Sequence, residues 1–196
     1  ILRSKTHLEM HQDNWSLKAK KMGYRSRAVF KLEEILLKLH KNQINKVLDL
    51  GSAPGGWSQF IINKYPHSKI IAVDILHMEP IDGVQFIKKN IEEIDSILLI
   101  NSQKGKFDLV ISDIAPNLSG ISAVDNENIY ELNKTTINLA NIYLSKTNSA
   151  VVIKTFQNNN FKSLKKEMEL FFEIVQTYKP AASKNKSAET YLYGAR

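Results

Sequence analysis

The sequence predicts an α/β fold with a mostly parallel sheet. Short apolar runs of strand length alternate with longer amphipathic stretches along most of the chain, which is the pattern of a parallel sheet covered by helices. The run at residues 47–50 is followed by a loop of small residues and then by a helix-like stretch. Strand, glycine-rich loop and helix in this order form the ligand site of many open sheets.

The elements follow in order. The first is an amphipathic helix over residues 26–40, with Ser26 as its N-cap. Lys31 lies at the edge of its apolar stripe, where a snorkelling lysine is the ordinary interpretation. Further helices are expected from Trp57 and at residues 91–100, 126–145 and 161–172. Strands are expected at residues 47–50, 68–74, 83–87, 107–112, 150–153, 171–178 and 191–194.

The small-residue loop is the first candidate ligand site. It contains neither the G-x-G-x-x-G dinucleotide motif nor the G-x-x-x-x-G-K-[ST] phosphate motif, and no lysine. It therefore suits a ligand without phosphates, such as S-adenosylmethionine, and its glycines should let the backbone approach that ligand. Asp74 ends the next apolar run, 23 residues after Gly51, where an acidic residue can accept hydrogen bonds from ribose hydroxyls. The alternative is an ordinary strand-turn-helix with a surface Asp.

Basic residues dominate the chain and concentrate near its start. The net charge of +7 indicates a polyanionic partner, most simply nucleic acid. Residues 1–25 are expected to form a basic arm or helix of the same domain, with Tyr24 or Trp15 available to stack on a base. The alternative is a solvated terminal helix. The residues expected to contact RNA are Lys18, Lys20, Lys21, Tyr24, Arg25 and Arg27.

Some classes of protein are excluded by composition. The chain contains no cysteine, which rules out disulfides, cysteine zinc sites and a thiol nucleophile. It contains no 18-residue apolar run, so no membrane-spanning helix is expected. Because the chain begins at Ile1, we expect that a native N-terminus has been trimmed, which leaves cytoplasm and organelle open. We expect a soluble, non-secreted monomer.

Charged residues follow three of the predicted strands. Asp74, Asp113 and Lys154 should meet at one rim, because the carboxyl ends of parallel strands lie together. Lys31 and Glu189 join them only if their elements pack there. Two lysines and two carboxylates in one cleft suit removal of a proton from a hydroxyl, with a neutral lysine as general base.

Five segments occur in this order along the chain: GYRSRAVFKLEEI, LDLGSAPGGWSQ, SDIAPNLSG, VVIKTFQ and KPAASKNKSAETYLY. From about residue 13 onward, the chain that they span resembles the FtsJ/RrmJ family of RNA 2′-O-ribose methyltransferases. The resemblance implies a Rossmann-like methyltransferase fold with an antiparallel last strand, helices on both faces, and one methyltransferase domain over residues 26–196. It also implies S-adenosylmethionine as the methyl donor.

The resemblance also implies site residues, with no metal among them. The family's catalytic tetrad falls on Lys31, Asp113, Lys154 and Glu189, with Lys154 as the base or hydroxyl-orienting group and Asp113 holding it. Asn90 stands where the family usually has Asp, and its carbonyl can still accept a hydrogen bond from an adenine amino group. The implied cofactor contacts are Gly51, Ser52, Ala53, Pro54, Gly55, Gly56, Trp57, Asp74, Ile75, Asn90, Ile91 and Asp113.

The substrate expected from the resemblance is RNA, most simply a uridine of large-subunit ribosomal RNA. A tRNA anticodon-loop methyltransferase is the first alternative. An RNA-binding ribosome-assembly factor with little activity is the second, although binding alone does not require Lys154 and Asp113 together. A small-molecule or protein methyltransferase is disfavoured by the charge and by the tetrad.

Overall fold

The computed structural model describes residues 14–39, 43–117, 119–183 and 187–196. The first thirteen residues of the expected basic arm lie outside the described residues, as do Leu118 in the third quoted segment and residues 184–186 in the last.

Seven strands form one sheet in the order β3-β2-β1-β4-β5-β7-β6. Strands β1 to β5 are parallel, whereas β7 lies antiparallel to both β5 and β6. The predicted sheet with its reversed last strand is therefore confirmed. The strands are β1 Lys46–Leu50, β2 Lys69–Asp74, β3 Val84–Lys88, β4 Leu109–Ser112, β5 Ala150–Phe156, β6 Ile174–Tyr178 and β7 Glu189–Ala195.

Helices cover both faces of the sheet, so two apolar cores form. Val47 belongs to the core beneath α1, α2 and α3, and its neighbour Leu48 belongs to the core on the opposite face, as strand alternation requires. Among the described helices none has the length and apolar character needed to cross a membrane. The helices are α1 Asn14–Lys21, α2 Ala28–Lys38, α3 Gly56–Lys64, a 3₁₀ helix Ile91–Ser96, α4 Leu98–Asn101, α5 Ser122–Tyr143 and α6 Phe161–Glu169.

Several element boundaries differ from the prediction, and three helical stretches show the physical reasons. Helix α2 begins at Ala28 with Arg27 at its N-cap, so the prediction that Ser26 is the N-cap is wrong. The N–H of Ala28 nevertheless donates to Ser26 Oγ at 3.2 Å. The single helix expected at residues 91–100 is divided at Ile97, which is extended. Helix α5 begins four residues early, and Asp125 in its first turn accepts hydrogen bonds from the preceding loop.

Strand β5 is longer than predicted, and the prediction that Lys154 follows the strand is wrong. The parallel ladder with β4 stops where Ser112 faces Ile153. The antiparallel ladder with β7 continues through Lys154 to Phe156. Lys154 is thus the first residue of β5 beyond its parallel neighbour, and its side chain lies at the carboxyl rim of the parallel strands.

Candidate active site

The predicted tetrad lies on one face of the sheet. Asp113 and Lys154 lie two residues beyond Ile111 and Val152, which pack in the core beneath α2. Because residues two apart in a strand point to the same face, both charged side chains extend the stripe that α2 covers. Lys31 comes from α2 itself and is buried. The two elements that sequence analysis left open, α2 and β7, therefore pack at this rim.

Two ion pairs bring the four residues together. Lys31 Nζ lies 2.6 Å from Glu189 Oε1, and these side chains are only 7% and 15% exposed. Lys154 Nζ lies 3.2 Å from Asp113 Oδ1 and also donates to the Asp113 backbone carbonyl. An ammonium group has three N–H donors, so these two contacts leave one position of Lys154 for a substrate.

Glu189 is held as a carboxylate. Burial alone would raise its pKa, but the hydrogen bond and charge of Lys31 outweigh burial and lower it. Ser183 Oγ donates to Glu189 Oε1 at 3.0 Å, and the charge of Lys154 acts in the same direction. The Lys31–Glu189 contact is therefore ionic at neutral pH.

Tyr191 connects the two ion pairs, and sequence analysis missed it. Its hydroxyl donates to Asp113 Oδ1 at 3.1 Å, and Lys31 Nζ lies 5.8 Å from the centre of its ring. Burial raises the pKa of Tyr191 well above its ordinary value, and the charges of Asp113 and Glu189 add to this. The phenol therefore stays protonated as a donor. Its position two residues after Glu189 in a strand was the available signal.

Two glycines of the loop allow neighbouring segments of the protein to pack closely against it. A side chain at Gly51 would overlap Ile114, which follows β4, and one at Gly56 would come within 2.5 Å of Ser26 Oγ. Both glycines also line the small cavity beside the loop, and their contact with the cofactor stays a prediction. They allow the loop to pack closely against the segments that carry Asp113 and begin α2.

Asp74 ties the loop to the end of β2. Its carboxylate is buried, accepts the N–H of Ala53 at 2.8 Å and accepts the N–H of Leu76 at 2.7 Å. A carboxylate offers about four acceptor positions, so a ribose hydroxyl can still donate to Asp74. The next residue, Ile75, is 63% exposed and offers an apolar contact at the rim.

Two further expected cofactor contacts have structural roles. Asn90 Oδ1 accepts the N–H of Glu92 at 3.1 Å and caps the 3₁₀ helix. Ile91 is buried in the core on the α5 face. The carbonyl that was expected to accept from an adenine amino group is thus partly occupied.

Asp49 lies beneath the loop and was also missed. Burial, together with the charges of Asp113 and Asp74, raises its pKa to about 7 against the opposing hydrogen bonds of Ser58. Ser58 Oγ donates to Asp49 Oδ2 at 2.6 Å. A carboxylate inside the apolar run at residues 47–50 was the available signal, since an unpaired charge in a central strand is costly.

The residues around the loop fit S-adenosylmethionine. A small cavity is lined by Asp49, Ser52, Trp57 and Asp113, and the described residues that line it include no Lys or Arg. Ser52 Oγ is buried and has no hydrogen-bond partner among the described residues, which is costly unless a ligand supplies one. A free hydroxyl beside carboxylates suits a polar ligand that carries positive charge.

A larger cleft of about 600 Å³ opens at the amino ends of the parallel strands, opposite the rim that carries the tetrad. It is lined by residues that begin β1, β2 and β3, including Lys46, Lys69 and Val84, and by no residue of the tetrad. Size alone does not make it the site, because ligands of such sheets bind at the carboxyl ends of the strands. The described residues hold no group of three or more His, Asp or Glu side chains placed to bind a metal ion.

The basic segment divides into exposed and inward-facing residues. Lys18, Lys20 and Lys21 of α1 are exposed. Tyr24 is half-buried, and its ring packs edge-on against Phe30 at 6.4 Å. The ring of Trp15 also packs on Phe30, at 5.2 Å.

Two of the residues expected to contact RNA make contacts within the protein. Tyr24 packs on Phe30, and its stacking on a base stays a prediction. Arg25 donates to backbone carbonyls of two loops beside the site. Arg27, also half-buried, lies immediately before α2.

A mostly parallel seven-stranded sheet with one reversed strand and a ligand loop after β1 defines the Rossmann-like methyltransferase class of fold. The chain belongs to the FtsJ-like methyltransferase family, whose profile matches residues 24–196. The chain is 39% identical over 189 residues to the ribosomal RNA large subunit methyltransferase E of Wigglesworthia glossinidia brevipalpis, covering 94% of this chain and 91% of that protein.

Two further relatives agree with this assignment. The protein of the same name from Methylobacillus flagellatus is 39% identical over 201 residues, covering 98% of this chain and 95% of that protein. A crystal structure assigned as a ribosomal RNA methyltransferase from Plasmodium falciparum superposes with a TM-score of 0.74 at 28% identity, covering 88% of this chain and 98% of that one.

Proposed function

We propose that this chain transfers a methyl group from S-adenosylmethionine to a ribose 2′-hydroxyl of RNA, in particular of a uridine in large-subunit ribosomal RNA. The observation that carries the proposal is the pair of linked ion pairs beside the loop after β1. Membership of the FtsJ-like family supports the reaction class. The names of the curated relatives support the large-subunit RNA as substrate.

Lys154 is proposed to act on the hydroxyl. It reacts as the neutral amine: two N–H groups donate to Asp113, and the lone pair at the remaining position orients the ribose hydroxyl. This lone pair accepts the hydroxyl proton as the oxygen takes up the methyl group, which leaves Lys154 as an ammonium. Asp113 holds the ammonium group through its carboxylate and its backbone carbonyl. Tyr191 in turn fixes the Asp113 carboxylate. When bound, S-adenosylmethionine supplies a methyl group on a sulfonium, which is already a good leaving group.

Lys31 and Glu189 are proposed to position the ribose. They form a charged, largely buried pair on the face that carries Lys154. Alignment of the reacting atoms is the main requirement of such a transfer, and fixed side chains supply it without cost at the moment of reaction.

The proposal is tested with Lys154→Ala, with Lys146→Ala at an exposed lysine as the matched control. Loss of the base should lower the transfer rate by about 10² to 10⁴-fold. Cofactor affinity measured by calorimetry should stay within about twofold, because the cavity lining does not include Lys154. Equal losses of transfer and cofactor binding in the Lys154 variant would overturn the assignment.

A further inference from the structure

Arg25 bridges two loops that border the candidate cofactor site. It lies between α1 and α2, and its guanidinium reaches across to the loops after β1 and β2. Nη1 donates to the carbonyl oxygens of Pro54 at 3.2 Å and Glu79 at 2.6 Å. Nη2 donates to the carbonyl oxygen of Pro80 at 2.6 Å. One side chain therefore joins the loop at residues 51–56 to the loop at residues 75–81.

The backbone of Arg25 is itself anchored. Its N–H donates to Gln59 Oε1 at 3.0 Å, and Gln59 Nε2 donates to the carbonyl of Gly23 at 2.8 Å. Gln59 belongs to α3, which begins where the loop after β1 ends. The guanidinium is thus held at a fixed position relative to this loop.

The two loops and the arginine also meet at Gly55. A Cβ at this residue would lie 2.9 Å from Met78 Sδ and 3.2 Å from Arg25 Nη1. A flat, branched group with several donors suits three carbonyls that face one side chain. Arginine provides that fork, whereas the ammonium group of lysine is a single point of charge.

We propose that Arg25 is a positioning residue that fixes the separation of these two loops and so sets the affinity for S-adenosylmethionine. This rests on the proposed function, because the loops flank its cofactor site. It also replaces the expectation that Arg25 contacts RNA, since its donors already point at protein carbonyls.

The bridge adds to an inner connection between the same loops. Asp74 joins their inner ends through the N–H groups of Ala53 and Leu76. Glu79 and Pro80 are exposed, so water can replace the arginine at their carbonyls. Loss of the bridge should therefore loosen the outer part of the site and leave the fold intact.

The test is Arg25→Lys, which keeps the charge and removes the fork. Calorimetric titration of the full chain with S-adenosylmethionine should give a dissociation constant raised about tenfold, with stoichiometry still near one. The dissociation constant for large-subunit RNA should stay within about twofold. Lys38→Ala, at an exposed lysine near the end of α2, should leave cofactor affinity unchanged.

Each other outcome overturns the inference in a distinguishable way. Unchanged cofactor affinity in Arg25→Lys would show that the bridge does not set it. Weaker RNA binding with unchanged cofactor affinity would return Arg25 to the RNA surface. No cofactor binding by the unmodified chain would overturn the proposed function itself.

A second variant covers a failure to fold. If Arg25→Lys gives a stoichiometry far below one, Gln59→Ala is measured in its place, because it releases the segment that holds the arginine. The same rise in the dissociation constant is expected, and an unchanged value would overturn the proposal.

Discussion

At the scale of single residues, the position of Lys154 follows from strand alternation. Asp113 and Lys154 share the face of the core residues Ile111 and Val152. Their adjacent parallel strands bring Lys154 Nζ within 3.2 Å of Asp113 Oδ1. This pair was predictable, because the carboxyl ends of neighbouring strands meet. The contact of Lys31 with Glu189 was not, because it depends on how α2 packs across the sheet.

Asp49 should make the ligand-free protein less stable as pH rises. Its pKa is about 7 in the folded protein, against 3.8 for an ordinary Asp. Between about pH 4 and pH 7 the folded state retains a proton that the unfolded state has released, so stability falls as pH increases. Asp49→Asn removes this titration while keeping an oxygen acceptor for Ser58.

Thermal unfolding measured from about pH 5 to about pH 8 tests whether stability falls as pH increases. The unfolding midpoint of Asp49→Asn should fall less over this range than that of the unmodified chain. Asp82→Asn, at an exposed carboxylate, is the control and should follow the unmodified chain. Parallel curves for all three proteins would contradict the assignment.

At the scale of elements, the loop after β1 depends on Gly51 for two separable reasons. Gly51 has φ +72°, and a side chain there would overlap Ile114. Gly105 has φ +70° but no neighbouring atom within 4 Å in the described part of the chain. Alanine at either position therefore incurs similar backbone strain, of about 1–2 kcal/mol, and only Gly51→Ala adds overpacking.

Urea unfolding of Gly51→Ala and Gly105→Ala separates the cost of backbone strain from the cost of overpacking. Overpacking in a close-packed region costs about 1–3 kcal/mol, so Gly51→Ala should lose clearly more free energy of unfolding than Gly105→Ala. Equal losses would mean that Ile114 moves aside freely and that the loop is not closely packed against the segment after Asp113.

The sequence predicted which elements exist better than where they end. Apolar runs of strand length located all seven strands, most clearly the central ones, because burial on both faces leaves a strong local pattern. The predicted ends of strands and helices were wrong where contacts with neighbouring elements determine them. β5 continues past Ile153 because β7 extends the ladder, and the stretch at residues 91–100 divides at Ile97. The inward orientation of Tyr24 and Arg25 also has no local signal, since exposed and carbonyl-bound arginines look alike in composition.

At the scale of the whole molecule, the exposed lysines of α1 lie on the same face as the tetrad. Helix α1 packs with α2 on the face that carries Lys154, so these three positive charges lie on the side of the sheet that holds the site. We expect Lys18, Lys20 and Lys21 to contact phosphates.

Replacing all three lysines of α1 with alanine should weaken RNA binding and lower its dependence on salt. Each lost phosphate contact to a single strand reduces the slope of log K against log salt by about 0.7, giving a total reduction of about 2. The matched control replaces Lys162, Lys165 and Lys166 of α6, which packs on the opposite face. Equal effects of the two triple variants would show that charge acts without regard to position.

The most direct test of the central claim is transfer of labelled methyl from S-adenosylmethionine to undermethylated large ribosomal subunits, with anticodon stem-loops and Lys154→Ala alongside. We predict label on a ribose 2′-oxygen of a large-subunit uridine, absent in the variant and absent from the stem-loops. Label on the stem-loops alone would contradict the proposed substrate. No label on either RNA, despite cofactor binding, would contradict the proposed activity.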